Sequence, residues 1–231
     1  MHVLVVAAVV MVAALAAGCG SDPAAGPAGT TGPTTAGSTT TVPATTTTTK
    51  VTVPVAALPE LAKRVVLAPD ALVDVGGTAG DEHADKFVLA SSCEVDLLVE
   101  RSEWANYYRD WSVPGGVSVR SLGFAYPKST GAEVINELGA ALAGCDRWPG
   151  AAGEEFVLIR DAQLVRPQGL SAFYGYCFTL PDGSGMLGCS AFLGHGNLVA
   201  RLSVTKDGGG PQVLDLINRL LPRAAQTLVA G

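Results

Sequence analysis

The sequence predicts an α+β fold: a largely antiparallel sheet with helices packed on one face, stapled by two disulfides and preceded by a disordered stalk. Three observations carry the prediction. Strand-like runs at 156–160, 172–180, 186–193 and 198–205 follow one another, joined by turns. A capped helix precedes them and an amphipathic helix follows. Setting Cys19 aside leaves an even set of cysteines, Cys93, Cys145, Cys177 and Cys189.

The chain opens with an uninterrupted apolar run. Residues 3–18 are Val, Ala, Leu, Met and Gly only. That is short of the ~20 residues a membrane span needs and suits the apolar core of a signal peptide. The run closes on Leu15-Ala16-Ala17-Gly18-Cys19, which resembles a lipobox, the signal at which a bacterial lipoprotein is cleaved before a lipid-modified cysteine. Two features depart from the usual pattern. Only Met1-His2 precede the run, with no Lys or Arg, and the leucine stands four positions before Cys19 rather than three. The resemblance implies a signal peptide over 1–18, lipidation of Cys19 with palmitate among its acyl chains, and a mature chain on the extracytoplasmic face of the cell membrane.

Residues 19–57 form the expected linker. Thr, Ala, Gly, Pro and Ser dominate from Gly20 to about Pro54, and 45–49 are consecutive threonines. Such a segment carries too little apolar surface to offset its ordering entropy. Flexible-coil scaling gives about 30–35 Å between the ends of a tether of about 35 residues.

The net charge of −6 belongs wholly to the mature chain, because no Asp, Glu, Lys or Arg lies in the first nineteen residues. A mildly acidic balance excludes nucleic acid as an expected partner, and it excludes a basic membrane-binding patch. Attachment to the membrane is then expected through the lipid anchor.

In the folded module, 58–231, Leu61, Val65 and Val66 place a short helix over 58–66. Pro69-Asp70 opens a segment over 71–75 that Gly76-Gly77 ends, 78–86 reads as loop, and 87–90 as a short strand. From Asp96 to Trp111 the spacing of Leu97, Arg101, Trp104, Tyr108 and Trp111 predicts a helix with an aromatic face. Pro114-Gly115-Gly116 breaks the chain before a strand over 117–126. Thr130-x-x-Glu133 is a capping box, and the helix it opens aligns Val134, Leu138, Ala141 and Cys145.

Residues 172–180 and 186–193 flank Pro181-Asp182-Gly183-Ser184-Gly185, a hairpin signal. With its symmetry point at Gly183, Cys177 faces Cys189 across the ladder, and Cys93 is left to pair with Cys145. Gly194-His195-Gly196-Asn197 marks a second tight hairpin. Pro211 suits a first helical position, and Val213, Leu216, Ile217, Leu220, Ala224 and Leu228 form one stripe. Pro222, within that helix, predicts a kink or a break.

The paired cysteines, the strand and helix ending in Ala143-Gly144-Cys145, the Cys177–Cys189 hairpin and the C-terminal helix together resemble the PknH-like extracellular sensor domain. Actinobacterial lipoproteins and receptor kinases carry such domains, and the resemblance covers roughly 58–229. It implies an α+β sensor-type fold with two disulfides and a groove for an unidentified ligand. It brings no catalytic residues.

The search for chemistry is correspondingly lean. His83, in Asp81-Glu82-His83-Ala84-Asp85, has the residue types of a metal site but the look of a solvated turn, and His195 sits in a glycine-flanked turn. Ser184 lacks the spacing of a nucleophile elbow. Gly208-Gly209-Gly210 before a helix lacks a Walker lysine and the dinucleotide fingerprint. No enzyme activity, cofactor or metal is expected. The expected function is a membrane-anchored extracytoplasmic lipoprotein whose sensor-like domain binds a small molecule or lipid. The alternative is a structural protein that engages another envelope protein. Trp104, Tyr108 and Trp111 on the predicted helix, with Tyr174 and Tyr176 on the strand face opposite Cys177, are the candidate ligand groove.

Overall fold

The computed structural model describes residues 52–84, 86–150, 153–182 and 185–231. The signal-peptide segment, Cys19 and nearly all of the Thr-rich linker lie outside the described residues. Every described element belongs to one unit, Thr47–Gly231.

Eight strands form one antiparallel sheet in the order β1-β2-β3-β8-β7-β6-β5-β4. They are β1 (Thr78–His83), β2 (Ala105–Val113), β3 (Val117–Ala125), β4 (Arg147–Pro149), β5 (Glu155–Ile159), β6 (Ala172–Thr179), β7 (Met186–His195) and β8 (Leu198–Lys206). Three α-helices flank them: α1 (Leu58–Arg64), α2 (Gly131–Leu142) and α3 (Gln212–Ala230). Because side chains alternate along a strand, the sheet separates two apolar layers. One holds Trp111, Val119, Cys177, Cys189, Ala191, Leu202 and Val204 against α1 and α3. The other holds Tyr108, Leu122, Phe124, Tyr176, Phe192 and Val199 against α2.

The predicted architecture is therefore present, with one difference: α2 packs on the face opposite α1 and α3, so helices cover both faces. Both disulfides have the predicted pairing, Cys93–Cys145 and Cys177–Cys189. Cys177 and Cys189 are direct cross-strand partners with Cα atoms 3.9 Å apart. The capping box of α2 is also in place: Thr130 Oγ1 accepts from the Glu133 N–H and Glu133 Oε2 accepts from the Thr130 N–H. α1 lies close enough to β3 that a Cβ on Gly123 would come within 2.0 Å of Ala62 O, so only glycine admits this packing.

Other expectations are corrected. The helix expected over 96–111 is a 3₁₀ turn at Leu98–Arg101 followed by β2. The wide aromatic and apolar spacing fits both periods, and β2 wins because β1 and β3 pair with it on either side. Residues 78–83, expected as loop, form the exposed edge strand β1, whose polar side chains suit an uncovered edge. Residues 87–90 make no strand, and the short edge strand β4 was not expected. α3 continues past Pro222, whose ring faces solvent. The carbonyl left without its helical partner is at the water side there, which lowers the cost of the proline.

Candidate functional site

On the α2 face, antiparallel register stacks the inner strands into three rows. The first runs Tyr108–Leu122–Arg201–Phe192–Tyr174 across β2, β3, β8, β7 and β6. The second runs Asp110–Arg120–Ser203–Ser190–Tyr176, and the third Ser112–Ser118–Thr205–Gly188–Phe178. α2 packs on β6, β7 and β8 at the apolar end of these rows. The second and third rows extend beyond it and change to hydroxyls and charges. That polar half of the face is the floor of a cleft.

The segment 86–101 forms the opposite wall. Arg201 Nη1 donates to Leu89 O at 2.9 Å, Leu89 N donates to Glu100 Oε1 at 2.6 Å, and Ser92 Oγ meets Tyr176 OH at 2.6 Å. Cys93, bonded to Cys145, pins the same segment to the end of α2. Cys93 and Glu94 both adopt positive φ, 62° and 51°, a conformation that ordinary side chains hold only when their surroundings impose it.

Two chambers meet along this floor. A polar one of about 720 Å³ is bordered by Phe87, Val88, Asp110, Ser118, Arg120 and Ser203. An aromatic one of about 450 Å³ is bordered by Ser92, Trp148, Phe156, Tyr176, Phe178 and Ser190. Ser91, Arg201 and Thr205 border both. In the aromatic chamber Trp148 lies 5.5 Å from Phe156 and 5.6 Å from Phe178 between ring centroids, near edge-to-face with the latter. Gly188 makes room for this cluster, since a Cβ there would come within 2.4 Å of the Phe178 ring. Each volume falls in the range of small-molecule sites.

The charges in the floor are unequally matched. Asp110 binds Arg120 through two contacts of 2.7 Å, a fork that holds the Arg120 guanidinium above its usual pKa. Arg201 has no such partner. Its Nε donates to Ser203 Oγ at 3.0 Å and its guanidinium lies 5.6 Å from the Phe192 ring centroid. Among the described residues no carboxylate lies within 4.0 Å of it. Burial lowers its pKa, while Tyr176 raises it and the charge of Arg120 lowers it further.

The five residues expected to form a groove are dispersed. Tyr176 lines the aromatic chamber, although buried and bonded to Ser92 rather than solvent-facing. Tyr174 sits on the same face beneath α2, its ring 3.5 Å from where a Cβ on Gly139 would be. Tyr108 is buried in the same layer and bonded to His83. Trp104 borders a separate hollow with Pro59 and Asn106. Trp111 borders the polar chamber, but its ring belongs to the other layer, where Nε1 donates to Pro69 O at 3.1 Å. A helix would have put 104, 108 and 111 on one face, but a strand sends 108 and 111 to opposite sides.

Comparison with known proteins places this fold. No protein-family model matches the chain, and no curated protein matches it. A solved structure, the extracellular domain of PknH from Mycobacterium tuberculosis, superposes with a TM-score of 0.54. The fold is PknH-like. The match covers 78% of this chain and 98% of that one at 13% identity, a level at which likeness speaks for architecture and leaves function to the site itself.

The residues that make the cleft, Asp110, Arg120, Ser190, Arg201, Ser203, Thr205 and Trp148, were not singled out from sequence. The signal was available in alternation. Along β8, Leu198, Ala200, Leu202 and Val204 alternate with Val199, Arg201, Ser203 and Thr205. An arginine in such a run marks a face that is not simply core.

Proposed function

We propose that the chain is a lipid-anchored protein of the extracytoplasmic membrane face whose folded unit acts as a sensor-like module, binding a small molecule or lipid in the cleft on the α2 face. The observation that supports this most is the cleft itself. A sheet face built from paired strands is roofed by a disulfide-pinned segment, yet it keeps two chambers over a polar floor. The lipobox-like sequence supports the anchor, and no helix among the described residues is long and apolar enough to cross a membrane. Two disulfides suit an oxidising compartment. The unit binds rather than catalyses. Among the described residues the cleft's hydroxyls have no paired base, and the His83 ring is engaged with Tyr108. Membrane contact runs through the lipid, and no nucleic acid is a partner.

Native mass spectrometry of the protein purified from its own host tests the reading. A co-purifying small molecule or lipid, lost from a Thr205→Trp variant that fills the cleft, is the expected result. Retention of the same molecule by that variant would place binding elsewhere. Cys19→Ala tests the anchor: the variant leaves the membrane fraction or stays unprocessed, and unchanged membrane association of a mature-sized product overturns it.

A further inference from the structure

Arg201 stands in an apolar row, between Leu122 and Phe192, on the floor common to both chambers. Two of its nitrogens are engaged, by Ser203 and Leu89, while Nη2 has no hydrogen-bond partner among the described residues. A partly buried cation without a counter-charge is costly, and buried charges are ordinarily paired. The neighbouring cation, Arg120, is already matched by Asp110. Lys206 and Asp207, both in the lining of the aromatic chamber, contribute one charge of each sign, with Lys206 Nζ donating to Gly209 O at 2.7 Å. The charges of the lining, Arg120, Arg201 and Lys206 against Asp110 and Asp207, leave a net charge of +1 in a chain whose net charge is −6. Beside Arg201 lie the hydroxyls of Ser203 and Thr205, and beyond it the flat rings of Trp148 and Phe178.

Resting on the cleft-binding reading above, we propose that the ligand is a singly charged organic anion, a carboxylate or sulfonate joined to a flat apolar group, with its charge on Arg201 and its apolar part against Trp148 and Phe178. A net charge of +1 selects one negative charge. A neutral ligand would leave Arg201 uncompensated in a drier cleft than before. A dianion would bring a second charge that nothing in the lining offsets. The depressed pKa of Arg201 points the same way, since burial and Arg120 both disfavour the lone cation and an anion relieves both.

The test is calorimetric titration of 1-naphthoate and its neutral analogue 1-naphthamide, which differ in charge and little in shape. They are titrated into the full chain and into its Thr47–Gly231 unit, which contains both apolar layers and both disulfides. Naphthoate binds about tenfold or more tightly than naphthamide, the size of a charge-assisted hydrogen bond. Arg201→Gln removes that difference, Arg201→Lys keeps part of it, and Thr205→Trp removes binding of both. Should Arg201→Gln lose its native circular dichroism, the naphthoate-to-naphthamide ratio on the unaltered protein and on Arg201→Lys still decides. Equal binding of the two compounds, blocked by Thr205→Trp, overturns the anion assignment and leaves the cleft as a neutral site. Binding of neither compound, or binding that Thr205→Trp does not touch, overturns the proposal together with the reading it rests on.

Discussion

The Ser92–Tyr176 hydrogen bond offers the cleanest measurement of how firmly the cleft wall is held. Tyr176→Phe removes one oxygen and leaves the ring against Phe192 and Trp148, at centroid distances of 6.0 and 6.2 Å. Both partners are buried, Tyr176 1% and Ser92 6% exposed, and their oxygens are 2.6 Å apart across 84 residues of sequence. A neutral hydrogen bond contributes about 0.5–1.5 kcal/mol net, and a buried hydroxyl left without a partner costs about 1–3 kcal/mol. Tyr176→Phe should therefore destabilise by about 1–2 kcal/mol. Ser92→Ala should cost a similar amount. In the double variant neither oxygen is orphaned, so its loss falls short of the sum by about 1 kcal/mol. Urea unfolding of the four proteins supplies the cycle, and a constant slope confirms that the denatured state is unchanged. Amide exchange in the segment 86–101 should quicken in either single variant, because the wall loses a tether to the sheet. Additivity within about 0.3 kcal/mol would show that the two hydroxyls do not support each other, and the account of the wall would fall.

Three further outcomes follow from the packing. Cys177→Ala with Cys189→Ala, which opens a loop of sequence separation 12, should cost about 3 kcal/mol on a chain-entropy estimate; peptide mapping of the unaltered protein without reductant should recover Cys93–Cys145 and Cys177–Cys189, and a Cys93–Cys177 peptide would refute the pairing. Trp111→Ala should cost about 3–5 kcal/mol in urea unfolding, because Trp111 is 1% exposed and its ring packs in the layer against α1 and α3. Glu100 has its pKa raised, chiefly by burial and further by Glu137 and Asp96, against the lowering effect of the Leu89 N–H. A raised folded-state pKa means the group's contribution is present below its unfolded value and is lost as pH rises through the folded value. Glu100→Gln, which resembles the protonated form, should then gain on the wild type as pH rises from the glutamate range toward neutrality. A pH-independent difference in unfolding free energy would refute the assignment.

How much of this was legible in the sequence depends on how local the cause is. The capping box at Thr130–Glu133, the Cys177–Cys189 pairing and the stripe of α3 are set by residues close in the chain, and all three stand as predicted. Cys93–Cys145 followed from the cross-strand pair by elimination. The stretch 96–111 is ambiguous because Trp104, Tyr108 and Trp111 satisfy a helical period, and only the partners on either side of β2, distant in sequence, decide for a strand. The groove inherits that ambiguity. The side of the sheet on which α2 packs was likewise invisible, since its amphipathic stripe would suit either layer. Tyr174 and Tyr176 do share a face opposite Cys177, as alternation required. What covers that face is fixed by the connection into α2 and by Cys93, neither of which has a local signature.

The lengths of the helices explain why there is a cleft at all. Eight strands at about 4.8 Å spacing make a sheet roughly 34 Å across. On one face α3, with 19 residues, is about 28 Å long, and α1 fills in over β2 and β3, so that layer is covered, and its buried polar side chains Arg109 and Ser121 are both bonded to the Leu67 backbone. On the other face α2, with 12 residues, is only about 18 Å long and covers β6, β7 and β8 at one end. The rows beneath it are Phe124, Val199, Phe192 and Tyr174; the rows past its edge are Asp110, Arg120, Ser203, Ser190, Ser118 and Thr205. The change from apolar to polar thus falls where helical cover ends, as solvent exposure alone would require. Exposure does not account for the remainder. A merely wet surface needs no roof, yet the segment 86–101 is fastened over it by a disulfide and by contacts from Arg201 and Tyr176. Nor does exposure explain Trp148, Phe156 and Phe178 gathered at one end of it. A floor of hydroxyls, a net positive charge, an aromatic end wall and a pinned roof are the parts of a binding site.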